Sequence, residues 1–411
     1  MRRFVPAVLR EEPQFRLLFG GQALSTLGDR ITFVALPFAV LSIGGGAGEV
    51  GLVIGATTIP FAIFALLGGV WADRLPRHRV MLASDLVRMV SQALAALLLL
   101  TGDAEVWQLA ALGVAFGTAD AFFMPALTGL MPAVVAPERL QEANALRALV
   151  ASFGMVSGPA AAGVLVALLG PGGALAVDAA TFAASALALA RLRPAVAARA
   201  TDDAAAFLDQ LRAGFAEIRR RPWVQGFLVV LCVYSVVVLP AIFVLGPVLA
   251  ERELGGVRAW AVITAAFGLG SITGDLLILR FKPRRPLLWS GIGFTVASAQ
   301  ALIIGSGLPV AGIAALEAVT GVAVAAGWGL WETTLQEQIP EHAISRVSSY
   351  DYLVSVGAMP IGLTLAGPVA EVIGLHETLV LQTAIGLPVA LAVLLVPGVR
   401  TLRTGFKKAR P

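Results

Sequence analysis

Long apolar runs recur from one end of the chain to the other, and their length decides what it can become. They lie near 16–42, 49–71, 79–101, 105–131, 140–168 and 173–191, then 223–250, 258–280, 286–306, 309–337, 345–373 and 376–398. Short stretches of Gly, Pro or charge separate them. About 20 apolar residues in a helix cross the hydrocarbon core of a bilayer, so twelve spans fit. Lipid offers the backbone no hydrogen-bond partners, so such spans are helical. A soluble fold is excluded, because 58% of the 411 residues are apolar and only 14% are charged, against about 25% charged in globular domains. The expected architecture is an all-α membrane protein of twelve transmembrane helices, embedded in the lipid bilayer.

The basic residues orient it. With both termini in the cytoplasm, 25 of the 30 Lys and Arg fall inside, two (Arg252 and Arg258) outside, and three (Arg30, Arg88 and Arg147) within spans. That is the asymmetry of the positive-inside rule. It also accounts for the net charge of +4 without a nucleic-acid partner. The Arg-over-Lys bias and the Ala and Gly richness associate with a bacterium of GC-rich genome, so the expected location is a bacterial inner membrane. No small-residue cleavage site follows the N-terminal basic residues, and no removable signal peptide is expected.

The longest polar stretch divides the chain into an N-terminal six-helix half (1–191), a cytoplasmic linker (192–222) and a C-terminal six-helix half (223–411). Phe207, Leu211, Phe215 and Ile218 form an apolar stripe within the linker, which suits the inner membrane surface; a merely tolerated linker is the alternative. The halves look like repeats. Pro137-Glu138 recurs as Pro340-Glu341, and Gly158, Gly163 and Gly170 recur as Gly362, Gly367 and Gly374. Duplicated halves are a plan used by secondary transporters.

Several chemistries are excluded or disfavoured. Cys232 is alone, and His78, His342 and His376 have no partner at ligand spacing, so no disulfide framework or metal site is expected. Lys282, Lys407 and Lys408 lie outside any Walker-type glycine loop, so no ATP motor is present. Neither a Gly-x-Ser-x-Gly elbow nor His-Glu-x-x-His occurs. The chain is not expected to be an enzyme or to carry a cofactor, and a proton gradient is the expected energy source.

The loop after the second run reads Gly68-Gly69-Val70-Trp71-Ala72-Asp73-Arg74-Leu75-Pro76-Arg77-His78-Arg79. Gly69, Asp73, Arg74, Arg77 and Arg79 match the signature Gly-x-x-x-Asp-Arg-x-Gly-Arg-Arg-Lys/Arg, and here the chain resembles the major facilitator superfamily. Pro76 replaces the signature glycine and His78 a basic position. The resemblance implies two pseudo-symmetric six-helix bundles, and a cytoplasmic latch made by the aspartate and arginines. The alternative for these residues is a solvated basic loop. The fifth run carries Gly154-x-x-x-Gly158-Pro159-x-x-x-Gly163, similar to a motif of the proton-antiporting exporters of that superfamily. Ala162 stands where a doubled glycine is expected, and ordinary small-residue helix packing is the competing account. Phe15-Arg16-Leu17-Leu18, Leu27-Gly28-Asp29, Ala35-Leu36-Pro37, the stretch from Ala121 to Ala126 and Ser345-Arg346-Val347 resemble drug:proton antiporters of the macrolide-efflux and enterobactin-exporter type.

Ionisable residues inside spans are the functional candidates, because each is costly in lipid unless paired or wetted. Asp29, Arg30, Asp120, Glu317 and Glu332 lie on the first, fourth and tenth spans, which in the superfamily line a central cavity. A desolvated carboxylate holds a proton more readily and exchanges it as its exposure changes. Arg30 is the expected neutraliser of Asp29 or of the proton site. Static pairing is the alternative, and Asp85, Arg88, Asp178 and Asp275 read as structural pairs or caps. Phe33, Phe122, Phe123, Tyr234, Trp328 and Trp331 are candidates for an adaptable aromatic wall around a bulky apolar substrate, with simple packing as the alternative.

The resemblance thus implies proton-coupled export of a hydrophobic or amphipathic small molecule, a drug or secondary metabolite, by alternating access. The expected partners are that substrate, protons and lipid, with the chain a monomer. Rival readings are export of a specific siderophore or metabolite, symport, lipid flipping, or a transport-dead receptor or scaffold.

Overall fold

A computed structural model describes residues 6–72, 75–193 and 215–403 of the chain. Among them the regular structure is helical. A short α1 (Ala7–Glu11) leads into α2 (Pro13–Ser42), α3 (Ala47–Ala72), α4 (Arg77–Thr101), α5 (Val106–Val134) and α6 (Leu140–Ala190). Then come α7 (Pro222–Leu254), α8 (Val257–Arg280), α9 (Pro286–Ile304), α10 (Val310–Gln338), α11 (Arg346–Ile373) and α12 (Leu375–Val393).

Among the described residues eleven helices are long and apolar enough to span, not twelve, because the fifth and sixth runs are continuous in α6. Within it Gly170 leaves helical geometry at φ 70° and ψ 171°. The chain breaks there into arms 140–169 and 171–190, each long enough to cross the hydrocarbon core of a bilayer. Pro171 opens the second arm, where its missing N–H leaves no bond unmade. The sequence repeat reappears as backbone shape. Gly374, the counterpart of Gly170, has φ 102° and ψ 154° and separates α11 from α12. An L side chain is disfavoured at positive φ, which is why glycine stands at both breaks.

The chain divides into two compact units, Met1–Asp202 with Ala250–Ala261 and Asp203–Leu249 with Val262–Pro411. Each has its own apolar core. In the first unit, Val8, Phe15 and Leu18 meet Met81, Leu127, Leu130, Met131 and Leu189. In the second, Trp223, Phe227, Phe294, Trp331 and Leu335 pack with Val347 and Val393. Ile218 belongs to this second core instead of lying on a membrane surface, because it packs beside Trp223 and Val224. Phe207 and Leu211 of the same stripe fall outside the described residues.

Polarity is inverted relative to a soluble protein. Val372 is 84% and Leu168 73% exposed, whereas Gln22, Ser25, Thr32, Ser91, Gln92 and Gln382 are buried. Contiguous exposed apolar surface on this scale has lipid as its natural neighbour. The seventh and eleventh runs are not regular α-helix throughout. Wider π turns occupy Tyr234–Val238, Ala241–Leu245 and Leu353–Gly357. Such turns interrupt the i→i−4 ladder and concentrate at functional positions.

Candidate functional site

The first unit is organised around one face of α4. Ser84, Asp85, Arg88, Ser91 and Gln92 are all buried on this helix. Their spacing of one, three or four residues places them along a single helical stripe. In an apolar span such a stripe turns away from lipid and seeks partners on neighbouring helices.

Arg88 finds three. Its Nη2 donates to Asp85, one turn earlier on α4, and its Nη1 donates to Asp120 Oδ1 of α5 at 2.9 Å. The same Nη1 lies 3.9 Å from Asp29 Oδ1 of α2. The guanidinium carbon sits 4.2 Å from the ring centroid of Phe123 and 4.5 Å from that of Phe182, within cation–π range. Arg88 is 1% exposed and Asp85 is sealed, while Asp29 and Asp120 keep 31% and 33% of their side-chain surface open. The cation is therefore hidden and two of its carboxylates are reachable.

A second buried cluster adjoins it. Asp178 of α6 accepts from Thr32 of α2 and Gln92 of α4, both at 2.6 Å, and from Thr181 at 3.3 Å. Gly28, one residue before Asp29, lies where a methyl would collide with Asp178 and Thr181. Gln22 Nε2 donates to Ser185 Oγ at 2.9 Å, extending the polar tie between α2 and α6.

Arg30 acts on Asp29 through its nearby charge, but the ion-pair contact to Asp29 among the described residues comes from Arg88. About 100° of helical turn separates neighbours, and Arg30 points to α6, against Gly154 and Gly158, while Asp29 faces Arg88. A Cβ at Gly158 would overlap the Arg30 side chain, and Arg30 Nε is buried without a hydrogen-bond partner. Gly158, with Pro159 next to it inside the helix, makes room for an arginine beside the carboxylate cluster. Gly154 and Gly163 are buried on the same arm.

Glu317 is expected on an aqueous path but is only 3% exposed. In the second unit, Tyr234 O–H donates to Gln300 Oε1 at 2.8 Å and Gln300 Nε2 donates to Glu317 Oε2 at 2.9 Å. This chain joins α7, α9 and α10, and Glu317 Oε1 has no partner. Glu332 is exposed and accepts from Trp328 Nε1 at 2.9 Å, one turn away, a local surface pair.

The aromatic set separates by burial. Trp331 is fully buried, stacked on Phe227 at 4.6 Å, and its Nε1 donates to Asp351 at 3.0 Å, so it is core and not wall. Tyr234 is likewise sealed, and Phe123 is spent on Arg88. Phe33 is exposed, and Phe122 and Trp328 are partly so, which leaves these three with surface to offer a ligand.

Of the latch residues, Asp73, Arg74 and the surroundings of Gly69 lie outside the described residues. Arg77 donates to the Gly129 carbonyl of α5 and fills the space where a side chain at 129 would stand. Arg79 is exposed. On the same unit Arg139 pairs with Glu11 and, at 3.8 Å, with Glu12, while Glu142 accepts from the Val8 N–H at 3.2 Å. These contacts fasten α1 to the start of α6.

Asp85, Arg88 and Asp178, read from the sequence as structural pairs or caps, are paired as expected, but the reach of Arg88 to Asp29 and Asp120 was not part of that reading. The signal was there in the spacing of Ser84, Asp85, Arg88, Ser91 and Gln92, an uninterrupted polar stripe on an otherwise apolar span.

A polytopic helical membrane protein with a buried charge cluster in one of its two units is the class these features define. The family model for the Major Facilitator Superfamily matches residues 18–363, and the chain belongs to that transporter family. It is 29% identical over 377 residues to the Multidrug efflux pump Tap of Mycolicibacterium fortuitum, covering 89% of this chain and 90% of that one. It is 25% identical over 397 residues to Macrolide efflux protein A of Streptococcus pyogenes, covering 95% and 97%. Among solved structures, the nucleoside transporter NupG superposes with a TM-score of 0.69 at 11% identity, covering 93% of this chain and 98% of that one. A bacterial homologue of the iron transporter ferroportin, in an inward-facing state, gives 0.66 at 18%, covering 95% and 100%. At such identities these likenesses establish the fold alone.

Proposed function

We propose that the chain is a proton-coupled exporter of hydrophobic or amphipathic small molecules, drugs or secondary metabolites among them. It works by alternating access in a bacterial inner membrane with both termini cytoplasmic. The observation that carries this reading is the cluster of Asp29, Asp85 and Asp120 around the one guanidinium of Arg88. Fully ionised, the three carboxylates exceed Arg88 by two negative charges, and uncompensated charge out of water costs several kcal/mol per ion. Protons relieve that excess, and so does the positive end of an amphipathic substrate. Asp29 and Asp120, the open members, are where the two compete. Export follows if the site takes substrate from the cytoplasm when deprotonated and protons from outside displace it. Each proton moved down 100 mV supplies about 2.3 kcal/mol. The efflux pumps among the relatives support the outward direction. Phe33, one turn beyond Asp29 on α2 and exposed, supplies apolar surface beside that carboxylate.

The test is flux in liposomes that enclose a pH-sensitive dye, with an imposed proton gradient and ethidium or erythromycin as substrate. Substrate-dependent proton release that disappears in Asp29→Asn or Asp120→Asn is the expected result. Substrate movement with no proton movement would discard the coupling, and no movement of any compound would discard export.

A further inference from the structure

Arg88 is buried yet unevenly shared. Its Nη2 is committed to Asp85, while its Nη1 faces two carboxylates on two other helices, Asp120 at 2.9 Å and Asp29 at 3.9 Å. Only the nearer is at hydrogen-bond distance. The guanidinium is not fixed by a full set of bonds either, since Arg88 Nε and Asp85 Oδ2 are both buried without partners. Beside these carboxylates it meets the Phe123 and Phe182 rings. The attraction of a cation to the Phe123 and Phe182 rings depends on its distance from the ring and not on which N–H points where, so it survives a small sliding motion.

We propose that Arg88 is a positioning residue that allots its Nη1 arm to either Asp120 or Asp29, so that the two carboxyls take up one proton between them, with Phe123 and Phe182 as the surface over which the guanidinium moves. This rests on the proton-exchange reading above. In the arrangement seen, Asp120 is ionised and paired, and Asp29 is the carboxyl left to form an O–H bond with a proton from water. When that O–H bond breaks and the proton returns to water, ionised Asp29 draws Nη1 across, and Asp120 becomes the proton acceptor. No other bond changes. The charged groups facing this pair are Arg30 from α2, Asp85 and Arg88 from α4, and Asp178 from α6. Arg30 packs on Gly158, and Asp178 is satisfied by Thr32, Gln92 and Thr181, so neither takes the place of Arg88.

The experiment is a substrate-free titration of the full chain in liposomes, counting protonated carboxyls by infrared absorption between about pH 4 and 9. The wild type is expected to gain one proton at this pair, and Asp29→Asn or Asp120→Asn to gain none, because the remaining carboxylate then keeps Arg88 to itself. The double variant Asp85→Asn with Arg88→Gln removes the buried pair together and is expected to gain two. Arg88→Lys keeps the charge but loses the fork that lets one side chain hold Asp85 and reach a second carboxylate. It is expected to give two separate carboxyl signals, and it serves if the double variant does not fold. Two signals in the wild type, each removed by its own substitution with the other unchanged, would overturn the proposal. So would a one-proton count in either folded Arg88 variant. Ethidium and erythromycin flux are measured on the same preparations. A one-proton wild type that moves neither compound retains Arg88's role and refutes export, whereas flux with independent carboxyls does the reverse.

Discussion

Asp178 is a buried carboxylate whose hydrogen bonds come from neutral groups, and replacing it separates a structural tie from a proton carrier. Thr32 and Gln92, both buried, each donate to its Oδ2 at 2.6 Å, from α2 and α4 respectively. Asp178→Ala removes the acceptor of both, leaving Thr32 O–H without one while Gln92 Nε2 keeps Thr32 Oγ1. Hydrogen bonds to a charged acceptor are worth about 2 kcal/mol each in soluble proteins, which gives about 4 kcal/mol for two. Interhelical hydrogen bonds measured in a membrane protein average about 0.6 kcal/mol, which gives about 1. A loss of about 3 kcal/mol, between these two bounds, is expected. At about 2 °C per kcal/mol for a large chain, the Tm falls by about 6 °C. Asp178→Asn retains an acceptor oxygen and is expected to lose about a third as much. Thermal unfolding of the purified protein in detergent, followed by circular dichroism, measures both. Ethidium-dependent proton release in Asp178→Asn should stay within about twofold of wild type when the loss is about 1 kcal/mol of stability only. A Tm for Asp178→Ala within 1 °C of wild type would refute the energetic reasoning. Loss of proton release in a well-folded Asp178→Asn would move the proton site from Asp29 and Asp120 to Asp178.

Three further outcomes follow from named contacts. Gly158→Ala should destabilise the fold by about 1–3 kcal/mol, since overpacking here strikes Arg30, whereas Gly154→Ala, with its nearest neighbours at 3.5 Å and beyond, should be near neutral in the same thermal unfolding measurement. Trp331→Ala should destabilise by about 3–5 kcal/mol as a stacked core residue, while Trp328→Ala, half-exposed over Glu332, should change substrate half-saturation more than Tm. Arg77→Ala removes the bond to the Gly129 carbonyl, and in a Cys232→Ser background the labelling of cysteines introduced on the cytoplasmic and outer loops should shift in opposite directions; unchanged labelling on both faces would discard a latch role for Arg77.

What the sequence determined by itself was the set of spanning helices and their breaks. Run length against bilayer thickness gives the helices, because a segment in lipid must satisfy its own backbone and has no other solution. Gly170 and Gly374 were legible as repeats, and both prove to be positive-φ breaks, a local property that a residue type fixes in its own backbone. Asp29 and Asp120 were legible as candidates because a charge inside an apolar span is conspicuous. Their partner was not. Arg30 stands next to Asp29 in the chain, yet the guanidinium that comes within 3.9 Å of it is Arg88, 59 residues further on. Glu317 and Trp331 looked as available to solvent as Phe33, and helix packing sealed the first two and left the third open. Lipid fixes what each span must be from its own composition, which is one-dimensional information. Which charge meets which depends on the rotation of every helix about its axis, and only side chains packed from several spans at once set that.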